Sequence, residues 1–205
     1  MGRVEDEVRR IHAVAAPWLG EPATSAWVSV DLGRFRLSGM VSGIRNRTLV
    51  RVGYGKVRGK QRLRAWIELL ALKAAQPDVA WRSVTIGKGQ GGSLLGPIAA
   101  VDARARLNDL LQLWTRGLCE LLPMPPSTAA AQIAANRPGG NKYAAADAWR
   151  LECDAAWQRF GFSSRYLDGL TRRRAAHGDG PGGGSAFEAL ARRVWEPLVA
   201  EESTL

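Results

Sequence analysis

Apolar residues near the N-terminus recur every three or four positions. Val4, Val8, Ile11 and Val14 with Ala15 fall on one face of a helix over residues 3 to 16, which Pro17 ends. From Ala26 the period drops to two. The segments WVSVDL, FRLSGMVSGI and TLVRVGY predict three short strands, separated at Gly33-Arg34 and at Arg45-Asn46-Arg47, both suited to tight turns. Strands joined in this way form a meander. Helical spacing returns at Val57, with Leu63, Ile67, Leu70 and Ala74 on a narrow arc, and closes at Pro77-Asp78. A fourth strand follows in AWRSVTIG.

Beyond it, GKGQGGSLLGP reads as a loop. Residues 100 to 122 read as a helix carrying Leu107, Leu110, Leu111, Trp114, Leu118 and Leu121, broken by Pro123, Pro125 and Pro126. Helices are expected again over 127–136, 143–160 and 186–200, and HGDGPGGGS at 177–185 as a flexible surface loop. Strands followed by helices, without an internal repeat or a clear boundary, predict one α/β domain over residues 1–205. Its parts are an N-terminal helix (1–16), a small mixed sheet with flanking helix (26–87) and a mainly helical extension (99–200).

At 205 residues the chain can bury a core without staples. No stretch approaches the ~18 consecutive apolar residues of a spanning helix, so no membrane is expected as a partner. Cys119 and Cys153 sit in helical surroundings behind a charged N-terminal helix, which predicts two buried thiols in a reducing cytoplasm.

Charge changes the picture most. Residues 32–67 contain no Asp or Glu but carry Arg34, Arg36, Arg45, Arg47, Arg51, Lys56, Arg58, Lys60, Arg62 and Arg64; without these ten the chain would have equal numbers of cations and its 19 acids. The formal net charge of +10 therefore lies in this window. Segregated positive charge is the footprint of a polyanion partner. Taking Leu63 as the origin of the helical arc, Lys60 and Arg64 flank it on one side and Arg58 and Arg62 on the other. Lys56, Arg58 and Lys60 crowd the helix start, where the backbone favours anions over cations, a placement that suits a docked phosphate. The alternatives are a solvated basic face and arginines serving an acidic protein surface.

Other candidates carry less. Gly87, Gly89 and Gly92 make a nominal G-x-G-x-x-G, but Gly96-Pro97 intervenes before the next helix, so a hairpin or crossover loop is the better reading. His12 and His177 are isolated, and the two cysteines form no C-x-x-C, so no metal, cofactor or small-molecule site is expected. Trp66, Trp114, Trp149, Trp157 and Trp195 fall in helical stretches and are expected in cores.

Three strands, the second with a central glycine, followed by a long helix resemble the core order of the PD-(D/E)XK (restriction-endonuclease-like) nuclease fold. In that fold Gly-x-x-Asp lies on the second strand and Asp/Glu-x-Lys on the third. The matching stretches here are Gly39-Met40-Val41-Ser42 and Arg51-Val52-Gly53-Tyr54-Gly55-Lys56. Ser42 and Gly53 stand where metal ligands would be. Together with KVRGKQRLRAWIELLALKAA, LLQLWTRGLCELLPMPPSTAAAQIA and FEALARRVWEPL, this resembles the C-terminal domain of RecC, the gamma subunit of exodeoxyribonuclease V, over roughly residues 20–200.

The resemblance implies a nuclease-like fold without catalytic residues or metal. It further implies contacts with double-stranded DNA ends and with RecB-like and RecD-like subunits during recombination repair. Arg45, Arg47, Arg51, Lys56, Arg58, Lys60, Arg62 and Arg64 are the expected backbone contacts. A rival reading, an active nuclease using displaced carboxylates such as Asp31 with Glu21, requires those acids to converge near Lys56.

Overall fold

A computed structural model describes residues 2–89, 92–122, 124–152 and 186–205. The chain divides into two compact units, Met1–Leu118 with Glu201–Leu205, and Cys119–Ala200.

The first unit is a six-stranded mixed sheet with helices on both faces. Helix α1 (Gly2–Ala15) runs into a 3-10 turn at Ala16–Trp18, where Pro17 denies the helix its next donor. Strands β1 (Thr24–Asp31), β2 (Arg36–Arg45) and β3 (Thr48–Val52) form the expected antiparallel meander. Helix α2 (Gly59–Ala75) then crosses over to β4 (Arg82–Ile86), which pairs parallel to β3 from Thr48↔Arg82 to Val52↔Ile86. Two short strands complete the order β1-β2-β3-β4-β5-β6: β5 (Ser93–Leu95) and β6 (Glu202–Thr204), each antiparallel to its neighbour. The segment expected as a plain loop thus contains β5. A hairpin, not a helix, follows the glycines at 87 and 89.

Alternation along β4 assigns the two faces. Val84 and Ile86 pack with Ile11 and Ala15 of α1, so Ser83 and Thr85 point to the opposite face, that of α2. On that face α2 buries Ala65, Trp66, Leu69, Leu70 and Ala74. Its apolar stripe is rotated from the expected arc, because Ile67 remains 38% exposed while Trp66 is buried. The large indole sets the orientation, and Arg62, one turn before Trp66, is turned inward with it.

The β2–β3 connection uses two residues, Asn46 and Arg47, both at positive φ (43° and 62°). This is the mirror-image turn whose twist matches paired strands. Gly43, also at positive φ (76°), forms a bulge in β2 that turns both Val41 and Ile44 inward. A Cβ there would lie 2.8 Å from the Arg51 guanidinium and 3.2 Å from the Val50 carbonyl, so both backbone conformation and space require glycine. Gly39, the central glycine of β2, has open space around it.

Helix α3 (Ala100–Cys119) buries Ala103, Leu107 and Leu113. Trp114, expected in a core, is 59% exposed: it shares the azimuth of Ala103 and Leu107 but lies about two turns beyond Leu107, past Leu113, the last buried residue of the helix. Cys119 is likewise an exposed free thiol and not a buried one, since it ends the helix past its last buried residue.

The second unit contains helices α4 (Pro126–Ala135), α5 (Ala144–Glu152) and α6 (Ala186–Ala200). Pro126 opens α4, and the Glu152 carboxylate accepts from Ser127 N (2.9 Å), Thr128 N (2.8 Å) and Thr128 Oγ1 (3.0 Å). A carboxylate at a helix N-terminus satisfies free N–H groups and the helix dipole together. Phe187, Leu190, Ala191, Val194, Trp195 and Leu198 form the buried stripe of α6, which continues through Pro197. The expected end of the 143–160 helix, the 177–185 loop, Cys153, Trp157 and His177 lie outside the described residues.

Candidate nucleic-acid interface

The fold divides the basic window between two ends of one strand. Arg45 and Arg47 sit at the start of β3, whereas Lys56, Arg58 and Lys60 sit beyond its end, at the entry to α2. Five residues of strand separate the two groups by about 17 Å.

Position and partners then sort the eight residues. Arg51 donates to Glu68 Oε2 from Nε (3.2 Å) and Nη2 (2.8 Å), and Arg64 donates to Glu68 Oε1 (3.0 Å). Arg62 embraces the Glu202 carboxylate, with Nε 2.8 Å from Oε1 and Nη2 on Oε2. Ser93 Oγ donates to the same Glu202 Oε1 at 2.5 Å. Arg45 Nη1 donates to the Glu21 carbonyl. Glu68 and Glu202 both lie outside the acid-free window in sequence, and the crossover and the sheet edge return them to it. Three of the eight expected contacts therefore carry carboxylate partners.

Arg47, Lys56, Arg58 and Lys60 are different. All four are exposed, and no carboxylate among the described residues pairs with them. Arg58 is the N-cap residue of α2, and its backbone N–H donates to Gln61 Oε1 (3.2 Å). An arginine side chain has no acceptor for the return bond, so the first-turn N–H groups take no acceptor among the described residues.

The fold adds two cations that no linear window contains. Arg82 opens β4 opposite Thr48, and its N–H donates to the Arg47 carbonyl (3.2 Å), which places it beside the β2–β3 turn. Lys88 follows β4, where its N–H donates to the Gly55 carbonyl (3.0 Å) and its Nζ lies 4.9 Å from the Tyr54 ring centre. Parallel pairing of β3 with β4 puts one at each basic end. Only strand register, not local sequence, carries that information.

Ser42 and Gly53, the positions matched to metal ligands, are both exposed. Ser42 faces Ser25 across the β1–β2 ladder, and Gly53 N donates to the Ile86 carbonyl at 3.0 Å. Asp31 closes β1 and accepts from Gly33 N (2.9 Å), whereas the Glu21 carbonyl meets Arg45 near the other end of that strand. These two acids stand at opposite ends of β1 and do not converge near Lys56. Among the described residues, no group of three His, Cys, Asp or Glu could hold a metal ion, and no helix is long and apolar enough to cross a membrane.

Comparison with known proteins adds the following. The family model of the RecC C-terminal domain matches residues 1–137. The RecBCD enzyme subunit RecC of Mycobacterium tuberculosis (strain H37Rv) is 31% identical over 191 residues, covering 87% of this chain and 17% of the relative. The RecBCD enzyme subunit RecC of Mycolicibacterium smegmatis is 40% identical over 119 residues, covering 55% of this chain and 11% of the relative. The chain spans less than a fifth of the length of these relatives.

Proposed function

The chain belongs to the RecC C-terminal domain family, and from that membership we propose that it is a non-catalytic, DNA-contacting and subunit-contacting domain of an exodeoxyribonuclease V gamma subunit. In this reading it works in the cytoplasm within a RecBCD-type complex, beside RecB-like and RecD-like subunits, on double-stranded DNA ends during recombination repair. The carrying observation is the set of exposed cations Lys56, Arg58 and Lys60 at the open N-terminus of α2, which take no carboxylate among the described residues. Cations there oppose the helix dipole unless an anion joins them. A DNA backbone supplies that anion without regard to sequence.

A nuclease-like origin is supported by the meander, the crossover helix and the fourth strand parallel to the third. Serine at 42 and glycine at 53 support loss of cutting, since neither supplies a carboxylate to a divalent cation. The opposite-end placement of Asp31 and Glu21 counts against a displaced active site.

The deciding experiment adds a purified RecB-like partner at graded salt, with and without a duplex end. The chain is expected to raise duplex-end affinity in a steeply salt-dependent way. Arg47, Lys56, Arg58 and Lys60 changed together to Ala should abolish that gain. Loss of partner binding in the same variant, with DNA making no difference, would assign the cations to an acidic protein surface instead.

A further inference from the structure

A pocket of about 220 Å³ opens between the last residues of β3 and β4 and the first turn of α2. Arg51, Lys56 and Arg64 supply positive charge to its walls, and Gln61 and Thr85 supply polar atoms. Glu68 binds both arginines and fixes their guanidinium planes, leaving the group two charges positive. Gly53 and Gly55 line the pocket with no side chain and with nothing within 4 Å of where a Cβ would stand.

Thr85 is the telling member. Arg51 and Thr85 are direct partners on the parallel ladder, so both side chains project to the α2 face. Thr85 is 5% exposed, yet its Oγ1 has no hydrogen-bond partner among the described residues. A buried hydroxyl left unpaired costs stability, and this one lies in the wall of a cationic pocket. The first turn of α2 reaches the pocket through Gln61, at the helix end whose N–H groups lack intrahelical acceptors.

Such a pocket suits a compact, multiply charged oxyanion. We propose that it binds a phosphate group, through Lys56, Arg51, the Thr85 hydroxyl and the α2 N-terminus, and that a nucleic-acid strand supplies the phosphate. The second half rests on the DNA-contacting reading; the first does not.

The test uses the purified chain and three probes: inorganic phosphate, and two duplexes of one sequence ending in a 5′-phosphate or a 5′-hydroxyl. Binding is followed through the amide NMR signals of Gly59, Lys60 and Thr85. Inorganic phosphate should shift these signals, and T85V and K56A should each weaken it about tenfold, the scale of one charge-assisted hydrogen bond. An undiminished thermal midpoint for T85V separates this loss from unfolding. A duplex that competes with phosphate only when phosphorylated identifies a strand end as the source, and equal competition by both duplexes identifies an internal phosphodiester; either result supports the site. Phosphate binding without any duplex binding keeps the pocket and removes DNA as its source. Duplex binding with no phosphate response, or with T85V equal to the parent chain, overturns the pocket while leaving the DNA reading standing.

Discussion

Arg62 and Lys60 are neighbours but half a turn or so apart on the same helix, and their side chains do opposite things. Arg62 turns inward with Trp66 and locks Glu202 of the edge strand β6, while Lys60 faces solvent without a carboxylate partner among the described residues. The same division runs through the whole basic window. Arg51 and Arg62 tie strands to α2 through Glu68 and Glu202, and Arg64 joins Glu68 within the helix. Arg47, Lys56, Arg58 and Lys60 pair with no carboxylate among the described residues. A cluster of cations in sequence is therefore not a cluster of equal roles: the acids it lacks locally can arrive from elsewhere in the fold, and the residues they miss keep a charge that no described carboxylate offsets.

The largest effect expected from this division is on DNA binding. Changing the four unpaired cations to Ala should reduce the slope of log affinity against log salt by about 3.6, taking about 0.9 per phosphate contact; between about 50 and 200 mM salt the parent would then lose roughly 150-fold more affinity than the variant. Folding stability should move by less than about 0.5 kcal/mol for each exposed site. R62A should do the reverse. It leaves the Glu202 carboxylate, whose side chain is 13% exposed, with Ser93 as its remaining hydrogen-bond donor at this site. Breaking a fully buried pair costs about 3–5 kcal/mol, and partial exposure lowers that to about 2–3 kcal/mol. Urea unfolding measures the loss; a salt slope that fell instead would move Arg62 to the partner-facing group. T85V should come next in size and opposite in sign, gaining about 1 kcal/mol by removing an unpaired buried hydroxyl. A chain that becomes more stable while losing phosphate would be keeping Thr85 for a ligand.

Much of the first unit could be read from local pattern. The meander, α2 and β4 announce themselves through periods of two and of 3.6 residues, and the acid-free window is visible without any structure. β5 and β6 are not readable in this way, because strands of three residues carry no alternation and exist through pairing with β4 and with each other. The orientation of α2 was also hidden. Leu63 and Ile67 fit a helical arc as well as Trp66 and Leu69 do, and the volume of the indole against the sheet decides between them. That rotation sends Arg62 inward to Glu202, a pairing that a stripe drawn through Leu63 and Ile67 does not reveal. Lys88 and Arg82 join the basic ends through the register of β3 with β4, and Trp114 and Cys119 prove exposed because a helical position alone does not say how far along the helix its cover reaches.

The finest test of the division is at Arg47. This residue occupies the left-handed region at φ 62° in a two-residue turn where glycine is the favoured occupant. A side chain there carries a cost of roughly 1 kcal/mol, part of which glycine would give back through its freer unfolded chain. R47G should therefore stabilise the fold slightly, by about 0.5 kcal/mol, while reducing the salt slope of DNA binding by about 0.9. Opposite movement of the two quantities would mean that a strained turn is kept for a charge the fold itself does not use. A fall in stability would mean that the Arg47 side chain, like Arg62, is fastened to the fold, and the boundary between the two groups of cations would have to be redrawn at the turn.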